Sequence, residues 1–135
     1  MINNIFVNLP VKDLKRSINF FTQMGFKFNP QFTDEKAACL ILGPNMYAML
    51  LVEKFFTGFT KRPVADAPKT AEVIISLFSD SRADVDALAD KAIKAGGLNY
   101  SDPQDMGFMY SRSFQDPEGH LWEIGWMDPA HVEPN

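Results

Sequence analysis

Two stretches of the chain run through the same order of local patterns, and that repetition limits the fold more than any single motif. In the first, residues 5–11 form a short apolar run that suits a strand, with Pro10 near its end. Asp13 stands where a helix N-cap belongs, and Leu14, Ile18 and Phe21 recur at i, i+4 and i+7, with Phe20 and Met24 widening the apolar face. Gly25 closes the helix, and strands follow at residues 27–29, 38–42 and 47–52, the last two joined by a turn at Gly43, Pro44 and Asn45. The second stretch repeats this: a strand at 73–78, a helix capped by Ser81 with Val85, Leu88, Ala92 and Ile93 on its apolar face, a stop at Gly96 and Gly97, then strands at 98–100, 108–114 and 120–126. Each half reads β-α-β-β-β. A unit this small cannot bury its own apolar face, so two copies must pack together.

The expected architecture is α+β in one domain spanning residues 1–135: a first module at about 1–52, a linker at 53–70, a second module at about 71–128 and a polar tail at 129–135. The linker carries Phe55, Phe56 and Phe59, which need cover either on their own domain or on a second subunit. Hydrophobic residues make up 46% of the chain, enough for a sizeable core. Net charge is -4 and basic residues never run beyond pairs such as Lys15–Arg16, so no nucleic-acid partner is expected. No membrane span and no secretory leader are expected either. The one cysteine, Cys39, rules out an internal disulfide and a cysteine-based zinc site, which suits the cytoplasm; its apolar surroundings suit inert packing.

The run from Ser113 to Glu123 holds most of the functional information. Asp116, Pro117, Glu118 and Gly119 suit a tight turn, and the strand leaving it carries one carboxylate, Glu123, in an otherwise apolar run. A carboxylate there needs a partner, a ligand or water.

With two β-α-β-β-β modules, the opening Phe6–Val7–Asn8–Leu9–Pro10–Val11–Lys12–Asp13–Leu14 and the closing Asp116–Pro117–Glu118–Gly119 turn followed by Glu123, the chain resembles the vicinal oxygen chelate superfamily: glyoxalase I, bleomycin-resistance proteins and extradiol dioxygenases. The wording around Phe28–Asp34, Gly107–Tyr110 and Trp126–Pro129 is similar to a lactoylglutathione-lyase-related subfamily. The resemblance implies a cupped mixed sheet with helices outside. It also implies, for many members, a metal held by side chains on the first and last strand of each module, chelating two neighbouring substrate oxygens. Carried onto this chain, the two first-strand positions fall on Phe6 and Ile74, neither of which can ligate; the first module's last strand offers only Glu53 at its end; only Glu123 remains. His120 lies at odd spacing from Glu123 and so points away from it, and His131 sits in the tail. No metal or other cofactor is therefore expected.

With the parity of those positions, Phe6, Asn8 and Pro10 face the cup from the first strand, and Ile74, Ser76 and Phe78 from the strand that opens the second module. Leu121, Glu123 and Gly125 complete the lining, with either Met49 and Leu51 or Ala48 and Leu50 from the fourth strand. Phe108, Tyr110 and Arg112 alternate on a neighbouring strand and are candidates to enter as well. Glu123 is then satisfied by Arg112 or Tyr110, or else acts as a general base. The expected function is a small hydrophobic or aromatic ligand bound in the cup of a homodimer, with a lyase, isomerase or dioxygenase using Glu123 as the alternative.

Overall fold

The computed structural model describes residues 1–131; of the expected polar tail, residues 132–135 lie outside the described part. The first module runs β1 (Ile5–Val11), α1 (Leu14–Gln23), β2 (Lys27–Asn29), β3 (Ala37–Gly43) and β4 (Met46–Val52). The linker after it opens with a single helical turn, α2 (Glu53–Phe56), and a 3-10 turn at Thr57–Phe59. The second module runs β5 (Ile74–Phe78), α3 (Arg82–Lys94), β6 (Gln104–Asp105), β7 (Met109–Gln115) and β8 (Leu121–Met127). The two four-stranded sheets have the same strand order, β1-β4-β3-β2 and β5-β8-β7-β6. In each, the first strand pairs parallel with the last, and the other neighbours are antiparallel.

Local chemistry sets the helix ends. Asp13 accepts from the Arg16 amide at 3.1 Å and Ser81 accepts from the Asp84 amide at 3.1 Å, each satisfying a donor that the first helical turn leaves unpaired. Glu118 does something the sequence does not announce. From the turn before β8 it crosses to the other module and accepts from the Lys12 and Asp13 amides at 2.7 and 2.8 Å and from Arg16 at 2.9 Å. This carboxylate caps α1 from 105 residues away and so bolts the modules together.

One hydrophobic core spans both modules. Phe20 and Phe21 of α1 meet Phe114 of β7 and Trp122 of β8, with Phe21 and Trp122 ring centres 5.2 Å apart and Phe20 and Phe114 5.9 Å apart. All four are buried. Complete burial of such side chains contributes about 1.5–3 kcal/mol each, so α1 is tied to the second module as well as to its own. The strand expected at 98–100 is reduced to a single bridge between Leu98 and Gln115. The chain then leaves the edge of β7 and rejoins it at Gln104–Asp105. Asp102 and Pro103 within this excursion are poor strand formers.

Candidate functional site

Strand pairing decides which side chains share the face opposite the helices. On the first sheet, Phe6 pairs with Tyr47, Asn8 with Met49 and Pro10 with Leu51. The open question of the fourth strand's register is thereby settled: Met49 and Leu51 lie on the Phe6 face, while Ala48 and Leu50 enter the core. Phe6 and Tyr47 stack with ring centres 4.6 Å apart. On the second sheet, Ile74 pairs with Leu121, Ser76 with Glu123 and Phe78 with Gly125. The Phe78 ring lies over Gly125, where a Cβ would come within 3.0 Å of it, so glycine leaves room for the ring. Phe6, Ile74 and Phe78 are 50%, 50% and 56% exposed, a large apolar area for one chain to leave in water.

The third strand of the second module corrects the expected lining. Tyr110 and Arg112 pair with Trp126 and Ile124, not with Glu123, and so belong to the helix face. Tyr110 donates to Asp86 at 2.7 Å, and Arg112 donates to Asp86 at 3.2 Å and to Asp90 at 2.8 Å. Asp86 and Asp90 lie four residues apart on α3, on the side that meets β7, and their charge draws the basic and phenolic groups there. The Tyr110 hydroxyl, then Arg112, holds the Asp86 carboxyl below its ordinary value. Phe108 precedes β7 and stacks on His131 with ring centres 3.9 Å apart, so it too is not placed among the lining residues.

The residues that share the Glu123 face are instead Ser111 and Ser113 of β7. Glu123 has neither of its two expected partners. It accepts a hydrogen bond from the Ser76 hydroxyl at 2.9 Å. Ser113, directly opposite Glu123, shares a hydrogen bond with Ser101 at 2.8 Å. Tyr100 donates to the Trp122 carbonyl at 3.4 Å, next to Glu123 in the chain. Burial first, and the Glu123 charge second, raise the Tyr100 phenol above its ordinary value. Sequence reasoning misses Ser113 because alternation along β7 allows either set to face inward, and Tyr100 and Ser101 ride on the excursion beside it and carry no periodic signal.

The remaining candidates are structural or lie elsewhere. His120 is buried and its Nε2 sits 2.7 Å from the Pro10 carbonyl, a link between modules. Asp116 accepts from the Glu118 and His120 amides and from the Trp122 indole, and burial raises its carboxyl above the ordinary range. Glu53 lines a cavity of about 320 Å³ with Lys12, Arg16 and Glu118. Among the described residues no three His, Cys, Asp or Glu side chains cluster so as to hold a metal. Phe6 and Ile74, at positions where the resemblance places ligands, present hydrocarbon. The donor set does not fit a divalent ion.

A second cavity of about 600 Å³ joins the two sheets beneath the linker. Asn8 and Pro10 line it from β1 and Leu121 from β8, with Gly119 and His120 of the turn and Phe56, Pro63 and Ala71 of the linker. Its size falls in the range that holds small organic molecules. Of the expected lining, then, the structure brings Asn8, Pro10 and Leu121 to one cavity. It leaves Phe6 and Met49 on the first sheet's face, and Ile74, Ser76, Phe78 and Glu123 on the second's.

The model of the Glyoxalase/Bleomycin resistance protein/Dioxygenase superfamily matches residues 4–124. No curated protein matches the chain. Among solved structures, a hypothetical protein from S. aureus is 29% identical, with 93% of this chain and 94% of that one covered and a TM-score of 0.78. A family enzyme from Burkholderia phytofirmans PsJN is 18% identical, covering 90% and 96%, with a TM-score of 0.74. A lactoylglutathione lyase from Agrobacterium tumefaciens is 15% identical, covering 95% and 96%, with a TM-score of 0.67. At these last two identities the likeness is one of fold.

Proposed function

The chain belongs to the Glyoxalase/Bleomycin resistance protein/Dioxygenase superfamily, and from that premise we propose that it binds a small hydrophobic or aromatic molecule without using a metal. The observation that carries this reading is the cavity of about 600 Å³ at the junction of the sheets, continuous in sequence with the half-buried Leu121 and Glu123 on one face of β8. A ligand's apolar body fits against Leu121, Pro10 and Phe56, and its polar end reaches Glu123, two residues further along β8. The protein acts as a homodimer in the cytosol, a second copy covering the half-exposed Phe6, Ile74 and Phe78.

A second reading, an enzyme of the lyase or isomerase kind, rests on Glu123. It has a hydroxyl partner and no cationic one among the described residues, which leaves the carboxylate able to accept a proton. The lactoylglutathione lyase of Agrobacterium tumefaciens shares the fold, and here any such chemistry falls to Glu123 itself.

A thermal-shift screen of neutral and charged aromatic molecules tests the binding reading. Ligands at saturating concentration raise the melting temperature by several degrees. Ala71→Trp, an exposed linker change that fills the cavity, leaves the melting temperature of the free protein unchanged and abolishes the shift. A screen in which no compound shifts the transition refutes binding, and a shift that survives Ala71→Trp refutes this location.

A further inference from the structure

The carboxylates of this protein are not treated alike. Glu118, Asp86, Asp90 and Asp105 each have an arginine within 4.0 Å. Among the described residues Glu123 has no such cation, although it is half-buried, where an uncompensated charge is costly. What surrounds it is oxygen. Ser76 donates to Oε2 and leaves Oε1 and further lone pairs open. Ser113 lies directly across the strand pair, Ser101 is bonded to Ser113, and Tyr100 reaches the Trp122 carbonyl beside it. The hydroxyls of Tyr100 and Ser113 keep lone pairs available once their own protons are placed. Beside this cluster the Phe78 ring lies over Gly125, and on the other side Leu121 leads into the cavity.

We propose that the Glu123–Ser76–Tyr100 cluster is the head-group subsite for a ligand carrying an ammonium on an aromatic or apolar body. This rests on the binding reading given above and names the class of ligand. An ammonium brings three N–H donors and a positive charge, which an acceptor-rich, cation-free cluster lacks. An anionic head at this cluster is repelled by Glu123, and the cation that would favour it, Arg62, lines the cavity and is not among the groups bonded in the cluster. A neutral hydroxyl can hydrogen-bond but leaves the charge uncompensated. The step of about 6.6 Å between Glu123 and Leu121 along one face of β8 suits a short spacer between ammonium and ring. The Tyr100 phenol, raised in part by the Glu123 charge, stays protonated at neutral pH and serves as a hydrogen-bonding group rather than a second anion.

Isothermal titration of the full chain with 2-phenylethylammonium, 2-phenylethanol and 3-phenylpropionate decides the matter. The ammonium binds about tenfold more tightly than the alcohol, as expected for one charge-assisted hydrogen bond, and the carboxylate binds weakest. Glu123→Gln removes the preference for ammonium over alcohol. Tyr100→Phe, a second variant that keeps the carboxylate, narrows the preference about threefold, the share of one neutral hydrogen bond. Equal or tighter binding of the alcohol or the carboxylate overturns the inference while sparing the binding reading. A preference untouched by Glu123→Gln in a protein whose melt matches the wild type overturns it as well. Failure of all three probes to bind overturns both.

Discussion

Gly119 offers a sharp test of how the linker is held, because two separate penalties meet there. Its φ is +94°, a conformation that costs an L-residue about 1–2 kcal/mol. A Cβ placed on it would also lie 2.6 Å from the Pro68 nitrogen and 2.9 Å from the Ala67 carbonyl carbon. Those are backbone atoms of the segment that roofs the 600 Å³ cavity, so no side-chain rotation relieves the clash. Forcing a methyl group into such a place typically costs about 1–3 kcal/mol more. Gly96 separates the two effects. Its φ is +110° but nothing lies within 4 Å of its would-be Cβ. Gly96→Ala therefore carries the conformational penalty alone, about 1–2 kcal/mol, and Gly119→Ala carries both, about 2–5 kcal/mol. Urea unfolding of the two variants, read at equal m-values, measures the difference. Gly119→Ala also loses ligand binding, since the linker must lift off the turn. Equal destabilisation of the two variants, or full ligand affinity in Gly119→Ala, refutes the close seating of residues 67–68.

The Asp105 carboxyl is held down to about 2 by hydrogen bonds from Arg82 and then from the Gly107 amide. Its folded value lies below the ordinary 3.8, so the stabilisation it gives to the 104–107 segment is complete above pH ~4 and disappears as pH falls through about 2. NMR titration of the carboxyl carbon reads a midpoint near 2, and a midpoint at the ordinary value refutes the pairing. For assembly, sedimentation equilibrium gives about twice the 15.2 kDa chain mass, and Phe78→Asp on the exposed sheet face reduces it to the monomer. A wild-type protein that stays monomeric at high concentration refutes the covered face.

Apart from β6, which lies at Gln104–Asp105 and not at 98–100, and the short helical turns of the linker, the element order is legible in the amino-acid sequence, as are the caps at Asp13 and Ser81 and the division of β1 and β5 into a core face and an open face. They depend on periodicity and on residues within one turn of each other. The facing of β7 is not legible in the same way, because its alternation, Tyr110–Ser111–Arg112–Ser113–Phe114, does not separate polar from apolar cleanly. Either set could face inward, and the choice falls to Asp86 and Asp90 on α3, which no pattern on β7 reveals. The placement of Tyr100 is hidden for a related reason: it belongs to an irregular excursion with no period to read.

Alternation along β8 alone dictates that Glu123 share a face with Leu121 and Gly125 and turn its back on Trp122 and Ile124, because a strand's side-chain directions are a local property. Tertiary structure alone decides that Glu123 meets Ser76 and not Arg112, that Glu118 caps a helix in the other module, and that the linker roofs a cavity against Gly119. Each of these joins residues far apart in the chain. Which of several available donors reaches a given carboxylate is settled by how whole elements pack, where a difference of a few ångströms separates a partner from a bystander.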